Sequence, residues 1–287
     1  MTVALTQGET VLITGINGYI AFVHTQYSNL KMNTDGVARS HIARELLQMG
    51  YNVRGTVRDK AKGEILKSSL VGAAKSTLEL IVIEDMTAEG VFDDALKGNM
   101  LWGYCQVAPL TRSPGVSGIV HSAALMSLDS DPNIVVTHAL RSLSSILNSA
   151  KKESSVKRFV LTSSSIAASS PAPNQKFNIT KSTYNKDAVE KAWAPPPYTP
   201  FQGLYVYAAA KVQSEQEFFR YLREENAQFV GNTVLPSSVM GPVLHPSQFG
   251  STANWILDYY KGISEFLPQM PAREYYNAPL SIKQIIN

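Results

Sequence analysis

The stretch TVLITGINGYIA, residues 10–21, decides the fold of this chain. Its first part is a run of apolar and β-branched residues, which is typical of a buried strand, and glycines follow at positions 15 and 18. Gly15 permits a tight turn, Gly18 lets the backbone approach a pyrophosphate, and Ala21 stands where a dinucleotide-binding fingerprint often has its third glycine. A plain structural turn is the alternative, but the order of strand, glycine turn and helix predicts a phosphate-binding turn at a helix N-terminus.

Strand-like and helix-like segments alternate through the rest of the chain. Further strands are predicted at 52–57, 78–83, 118–121, 158–162 and 229–235, and helices at 40–49, 60–69, 133–152 and 208–225. This alternation predicts βαβ units and a mostly parallel sheet that is covered by helices on both faces. We therefore expect the α/β class, with a Rossmann-type doubly wound parallel sheet in a single NAD(P)-binding domain over residues 1–287.

The end of the second predicted strand, TVRDKAK at 56–62, bears on the choice of cofactor. NAD-selective sites usually place an acidic residue at this strand end to bind the ribose 2′-hydroxyl, whereas an arginine can hold a 2′-phosphate. Arg58, with Lys62 one helical turn later, therefore favours NADPH, although NAD stays possible because Asp59 is a contrary signal. The alternative is that Arg58 and Lys62 are ordinary solvated charges.

A tyrosine and a lysine stand one helical turn apart in YAAAK, 207–211, and therefore share a face of the predicted helix. A phenol normally has a pKa of about 10, and a neighbouring ammonium stabilises the phenolate, so Lys211 would make Tyr207 a usable acid or base. Upstream, the strand at 158–162 runs into serines at 163–165, and ligands of an open α/β sheet bind at such strand ends. Each element alone is common by chance, whereas their order in one chain is specific.

These elements together resemble the extended short-chain dehydrogenases/reductases, which form the NAD-dependent epimerase/dehydratase superfamily. The similarity is to the branch of dihydroflavonol reductases and fungal aldehyde or ketone reductases, and it runs from Glu9 to about Gln269. The stretches that carry it are TGINGYIA at 14–21, TVRDKAK at 56–62, EDM at 84–86, GIVHSAA at 118–124, RFVLTSSS at 158–165, AWAPPPY at 192–198, YAAAK at 207–211 and NTVLPSSVMGP at 232–242.

The resemblance implies a reductase mechanism in which hydride passes from NADPH to an aldehyde or ketone. It assigns proton donation to Tyr207, polarisation of the carbonyl to Ser164, and tuning of Tyr207 and binding of the nicotinamide ribose to Lys211. The family's serine stands two residues after the Leu-Thr step, which selects Ser164 over Ser163 and Ser165. The cofactor-binding residues that we expect are Thr14, Gly15, Asn17, Gly18, Tyr19, Ile20, Arg58, Lys62, Asp85, Met86, Ala123 and Pro236.

Three segments depart from the family pattern. Residues 22–39 and 99–115 interrupt elements that the family joins directly, and residues 270–287 do not resemble the next expected strand. The C-terminal substrate-binding part is therefore expected to be incomplete. We hypothesise that these segments are non-native inserts and an atypical tail translated from retained introns, a hypothesis that transcript sequencing tests. Genuine loop insertions, which exposed sites tolerate, are the alternative.

The bulk composition argues against several classes of function. A net charge of +3 over 287 residues gives no electrostatic footprint for nucleic acid, and no stretch reaches the length of an apolar membrane span. The histidines lack metal-ligand spacing, so no metal is expected, and the single cysteine, Cys105, excludes an intramolecular disulfide. With no signal-peptide pattern, we expect a cytoplasmic monomer or homodimer that acts on a small-molecule carbonyl substrate.

Two other functions stay open on the sequence alone. NAD-dependent nucleotide-sugar epimerases and dehydratases share the serine, tyrosine and lysine, and a tightly held NAD would favour that activity. The other is an inactive product of the departures described above, because an insert beside the phosphate-binding turn would weaken cofactor binding. The residues do not identify which aldehyde or ketone a reductase would accept.

Overall fold

A computed structural model describes residues 4–17, 38–70, 76–98, 115–123, 127, 129–170, 178–199, 202–237 and 259–262. Its centre is a six-stranded sheet with the order β3-β2-β1-β4-β5-β6, in which every pairing is parallel. The strands are β1 Thr10–Ile13, β2 Asn52–Val57, β3 Leu78–Val82, β4 Val116–His121, β5 Arg158–Thr162 and β6 Val230–Val234.

Helices connect these strands. They are α1 Ala38–Gln48, α2 Lys60–Leu70, α3 Asp93–Leu96, α4 Pro132–Lys152, α5 Lys186–Ala192 and α6 Gln202–Glu224, and a 3-10 turn covers Ser165–Ala167. Side chains of β1 alternate between the two faces of the sheet. Val11 and Ile13 pack with residues of α1 and α2, whereas Leu12 packs with residues of α3, α4 and α6. The sheet therefore has a hydrophobic core on each face, which confirms the doubly wound α/β class.

The predicted strands agree with the observed ones to within two residues at each end. The largest difference among the helices is at α6, which begins at Gln202 rather than at 208, so that Tyr207 lies inside the helix. Helix α5 was not predicted; Asn185 caps it, since the Asn185 side chain accepts a hydrogen bond from the backbone N–H of Ala188. A polar segment of this kind gives little hydrophobic periodicity from which to predict a helix.

Most of the two predicted inserts and the whole atypical tail lie outside the described residues, at 22–37, 99–114 and 270–287. The hypothesis about these segments therefore stays a prediction. Residues 38 and 39, which the first insert was predicted to include, form the first two positions of α1. The single-domain prediction and the incomplete C-terminal part stay predictions. Within the described ranges, no helix combines the length and the apolar character that crossing a bilayer requires.

A buried arginine joins the sheet to the segment that leads into β4. The Arg54 side chain has no exposed surface, and its Nε donates to Glu79 Oε2 at 2.8 Å. Its Nη1 donates to the carbonyl oxygens of Ala95 at 2.7 Å and Lys97 at 2.9 Å. Arg54 therefore connects β2 with β3 and with the end of α3, and these contacts satisfy a buried charge that would otherwise be costly.

Candidate active site

The turn after β1 is held against β2 by two hydrogen bonds to Thr56. Gly15 has a φ of +61°, a backbone conformation that residues with a side chain rarely adopt. Its N–H donates to Thr56 Oγ1 at 2.8 Å. The Ile16 N–H donates to the Thr56 carbonyl at 2.9 Å. The Ile16 side chain lies where a Cβ on Gly55 would be, because such a Cβ would approach it to 2.6 Å. Gly15 in the turn and Gly55 on β2 thus let the turn sit at the carboxyl edge of the sheet.

Of the residues predicted for the phosphate-binding turn, Thr14 is buried, Gly15 and Asn17 are half-buried, and Gly18, Tyr19 and Ile20 lie outside the described residues. The Thr14 hydroxyl oxygen accepts hydrogen bonds from the backbone N–H groups of Ser122 and Ala123, both at 3.0 Å. Thr14 therefore joins the end of β1 to the residues that follow β4.

Thr14 also fixes the tautomer of a buried histidine. Its Oγ1 lies 3.0 Å from Nδ1 of His121, whose side chain is 4% exposed. Because the two backbone N–H groups use the acceptor capacity of the hydroxyl, its hydrogen points to His121 Nδ1. That nitrogen then accepts, and the imidazole proton stands on Nε2. This geometry suits a packed histidine rather than a catalytic base, because Nδ1 already accepts a hydrogen bond from Thr14.

The residues after β2 provide a helix cap and two exposed cations. Asp59 Oδ1 accepts from the backbone N–H groups of Ala61 at 2.8 Å and Lys62 at 3.4 Å, so its carboxylate caps the N-terminus of α2. Arg58 is exposed beside it, and Lys62 is exposed in the first turn of α2. The Asp59 carboxylate, the sequence feature that favours NAD over NADPH, is therefore engaged in capping α2.

The segment after β3 approaches α4 across the same edge. Asp85 accepts from the Thr87 N–H at 2.8 Å and from the Thr87 hydroxyl at 2.7 Å, contacts that hold the pKa of its exposed carboxyl below the ordinary value. Met86 is partly buried against the core. Burial lowers the pKa of His138 on α4; the Asp85 carboxylate opposes that shift and the Arg58 guanidinium adds to it. Side chains from three elements therefore converge here.

A cavity of about 40 Å³ opens where α4 and α6 meet the carboxyl ends of β4 and β5. It is lined by His121, Ala123, Val135, His138, Ala139, Ser142, Leu143, Leu161, Thr162, Ser163, Tyr207, Ala210, Lys211 and Ser214. Tyr207 is 5% exposed, and Lys211 Nζ lies 5.8 Å from the centroid of its ring. Lys211 Nζ also donates to the Thr162 carbonyl at 3.3 Å. The tyrosine, the lysine and the end of β5 therefore meet at one cavity.

The serines after β5 differ in their hydrogen bonds. Ser163 is 2% exposed, and its hydroxyl donates to Glu215 Oε1. The half-buried Ser164 begins the 3-10 turn, where its hydroxyl oxygen accepts from the Ile166 N–H at 3.4 Å. The Ser165 N–H donates to the Pro236 carbonyl at 2.9 Å, which places Pro236 beside this turn. Ser163 lines the cavity, and Ser164, the serine that the resemblance selects, is the next residue along the turn.

Three polar residues at this site were given no role from the sequence. Glu215 is a buried carboxylate on α6, and burial raises its pKa, although the Ser163 hydroxyl and the Lys211 ammonium oppose that shift. His138 Nδ1 and Ser142 Oγ are buried without a hydrogen-bond partner among the described residues, and both residues line the cavity. Their spacing in the sequence could have indicated them, because Glu215 follows Lys211 by one helical turn and Ser142 follows His138 by the same interval.

The fold and this edge define a class of protein. A parallel sheet with this strand order, with a glycine turn after β1 and polar side chains at the strand ends, is the dinucleotide-binding Rossmann fold. In the part of the chain that the structure describes, no group of three or more His, Cys, Asp or Glu side chains is placed to hold a metal ion.

Comparison with known proteins identifies the family. Residues 111–275 match the NAD-binding family described as "Male sterility protein". The chain is 38% identical over 259 residues to the NAD-dependent epimerase/dehydratase terH of Aspergillus terreus, covering 90% of this chain and 66% of that protein. It is 31% identical over 277 residues to aldehyde reductase 2 of Sporidiobolus salmonicolor, covering 96% of this chain and 71% of that protein. Among solved structures, Gre2 of Candida albicans in complex with NADPH superposes with a TM-score of 0.63 at 23% identity, over 84% of this chain and 61% of that one.

The chain therefore belongs to this NAD(P)-binding family, within the extended short-chain dehydrogenase/reductase superfamily, as its motifs predicted. It spans 66% of the length of the Aspergillus terreus relative and 62% of the length of a second one, the epimerase/dehydratase tndE of Aspergillus flavipes.

Proposed function

We propose that this protein is an NADPH-dependent reductase of an aldehyde or ketone. The observation that carries the proposal is the meeting of Tyr207, Lys211 and Ser163 at one cavity on the carboxyl edge of a parallel sheet, with Ser164 the next residue along the turn. Ligands of open α/β sheets bind at this edge, and a phenol with an adjacent ammonium is a suitable proton donor to a carbonyl oxygen. A relative whose name is aldehyde reductase 2 supports the same class of reaction.

Each side chain has a distinct role in the proposed reaction. Tyr207 donates a proton to the carbonyl oxygen as negative charge develops there, and Lys211 stabilises the phenolate that remains. Ser164 donates a hydrogen bond to the same oxygen. The choice of Ser164 over Ser163 is supported by hydrogen-bond direction, because the single hydroxyl hydrogen of Ser163 is directed to Glu215.

The described residues fit a dinucleotide with a 2′-phosphate. Gly15, with its positive φ, leaves the strand end open to a pyrophosphate, and Arg58 offers an exposed guanidinium after β2. Asp59, the acidic alternative that would favour NAD, is engaged as a helix cap. Bound NADPH would supply the hydride, and Asp85, Met86, Ala123 and Pro236 would border its rings. A matched structure in complex with NADPH supports the fit of the fold.

The test is NADPH oxidation with a panel of aldehydes and ketones, using the wild type and two phenylalanine variants. Tyr207→Phe removes the proton donor, and we expect its kcat to fall by about 10²- to 10⁴-fold with little change in NADPH affinity. Tyr205→Phe is the matched control, since Tyr205 lies on the same helix and faces Lys191, with Lys191 Nζ 5.1 Å from the Tyr205 ring centroid. Equal activity in wild type and Tyr207→Phe would refute the mechanism.

An epimerase or dehydratase of nucleotide sugars is the second candidate, since two relatives are named NAD-dependent epimerase/dehydratase. The same preparation distinguishes it by cofactor. Protein fluorescence titrated with NADPH and with NAD should give the lower Kd for NADPH if Arg58 binds a 2′-phosphate, and Arg58→Ala should remove that preference. A lower Kd for NAD, with no oxidation of NADPH by any carbonyl, would favour the second candidate. Binding of neither cofactor would indicate an inactive product.

A further inference from the structure

Helix α6 carries a third ionisable side chain on the face that holds Tyr207 and Lys211. Glu215 follows Lys211 by one helical turn and Tyr207 by two, so the three lie along one stripe of the helix. The Glu215 side chain is only 5% exposed. Glutamates are seldom buried to this extent unless their carboxylates are paired, so its partners decide what it does.

One partner is Ser163 at the end of β5. The Ser163 hydroxyl donates to Glu215 Oε1, and the Ser163 N–H donates to the Val234 carbonyl at 2.8 Å. An ionised carboxylate can only accept, so this contact uses the one hydrogen of the Ser163 hydroxyl and directs it away from the cavity. The pair links α6 to the strand end from which Ser164 begins the 3-10 turn.

The other partner is the ammonium of Lys211. Glu215 and Lys211 attract each other, and Lys211 also donates to the Thr162 carbonyl, which is a neutral acceptor. Tyr184, from the segment before α5, also faces Glu215: burial, and then the charge of Glu215, raise the pKa of its phenol. On the cavity side, His121, His138 and Tyr207 line the same space as Lys211. Among these groups, Glu215 is the carboxylate that can balance the lysine.

We propose that Glu215 is a positioning residue of the catalytic site: it holds the Ser163 hydroxyl so that Ser164 alone donates to a substrate carbonyl, and it keeps Lys211 charged beside Tyr207. The inference about Ser164 rests on the proposed reductase function. The inference about Lys211 concerns a charge pair and can be tested whether or not the protein turns over a carbonyl.

The first experiment measures the protonation of Lys211 directly. The protein is modified with trace acetic anhydride over a range of pH, and mass spectrometry follows the peptide that contains Lys211, since only the neutral amine reacts. In Glu215→Gln, which keeps the shape but not the charge, the midpoint of Lys211 modification should fall by on the order of one pH unit. Glu217→Gln is the matched control, since Glu217 is on the same helix and pairs with Arg220, and it should leave the midpoint unchanged.

An unchanged Lys211 midpoint in Glu215→Gln overturns the charge pairing. Thermal unfolding shows first that the variant is folded, and Glu215→Leu, which replaces the carboxylate with an apolar side chain, takes its place if the glutamine variant is not. Glu215→Asp retains the charge and should restore most of the wild-type midpoint. If the role of Glu215 were structural alone, its variants would differ in stability but would all have the same midpoint of Lys211 modification.

The second experiment tests the division of labour between the two serines. In the NADPH oxidation assay, Ser164→Ala should lower kcat by about 10²-fold, as the loss of one oxyanion donor does, and Ser163→Ala by about tenfold or less. The effects of Ser163→Ala and Glu215→Leu should add less than fully in the double variant, because both remove the contact between Ser163 and Glu215. A larger loss from Ser163→Ala than from Ser164→Ala overturns the assignment. A wild type without activity would instead refute the proposed function, and the Lys211 experiment would still decide the charge pair.

Discussion

The hydroxyl group of Thr14 has a hydrogen-bonding partner in each direction: it accepts from the N–H groups of Ser122 and Ala123 and points its hydrogen to His121. The sequence placed Thr14 at the end of a strand beside the cofactor, but the distances to residues more than 100 positions away come only from the fold. The hydroxyl therefore serves the packing of two strand ends as well as any bound nucleotide.

Thr14→Val keeps the shape of this side chain and removes its hydroxyl. The two backbone donors then stay buried without an acceptor, and we expect the free energy of unfolding to fall by about 1–3 kcal/mol. Urea unfolding of the variant measures this loss, and Thr14→Ser, which restores the oxygen, should recover most of it. A valine variant as stable as the wild type would show that water satisfies the two N–H groups.

The candidate site was predictable in part, and the reason lies in what a hydrogen bond requires. Tyr207 and Lys211 follow from spacing along one helix, and the serines follow from their place at a strand end. The partner of Ser163 could not be read in this way, because Glu215 is 52 residues away and the contact depends on how α6 lies against β5. Family resemblance selected Ser164, and the bond to Glu215 supplies a physical reason for that choice.

At the scale of elements, the sequence predicted strands such as β1, β4 and β5 well because each of these three is a short, continuous run of buried residues. Helix ends were predicted less well, since the first turn of α6 precedes the apolar pattern that marks the rest of the helix. Arg54 was unexpected: it occupies a buried position in β2, where the strand pattern favours an apolar residue. Its role becomes clear only from the fold, because the partners of its hydrogen bonds lie on β3 and at the end of α3.

Arg54→Met tests how far this buried cation holds the elements together. Methionine fills a similar volume, but it leaves the Ala95 and Lys97 carbonyls and the Glu79 carboxylate without their donor. We expect the free energy of unfolding to fall by about 3 kcal/mol, measured by urea denaturation. Glu79→Gln is the control: it keeps an acceptor for Arg54 at a side chain that is 37% exposed, so its loss should be about 1 kcal/mol or less. Equal losses from both variants would place the effect in the ion pair rather than in the carbonyl contacts.

For the whole molecule, the response of stability to acid depends on which groups change their pKa on folding. Burial, and to a smaller extent the charge of Arg58, hold the pKa of His138 below its ordinary value of 6.5, although Asp85 opposes the shift. The unfolded chain then binds a proton at a higher pH than the folded protein does. The stability that comes from a neutral His138 is fully present above about pH 6.5 and is lost as the pH falls from there through the folded-state pKa.

His138→Gln should therefore flatten the decline in stability between about pH 7 and pH 5. Urea unfolding at several pH values in that range measures the slope for each protein. Asp93→Asn acts in a different window: hydrogen bonds from the Ser149 hydroxyl and from Lys152 lower the pKa of Asp93 below 3.8, so its stabilisation is present above that value and is lost as the pH falls further. The asparagine variant should thus lose stability by a constant amount between pH 5 and pH 7 and leave the slope there unchanged. A His138→Gln slope equal to that of the wild type would mean that another group controls acid sensitivity in this range.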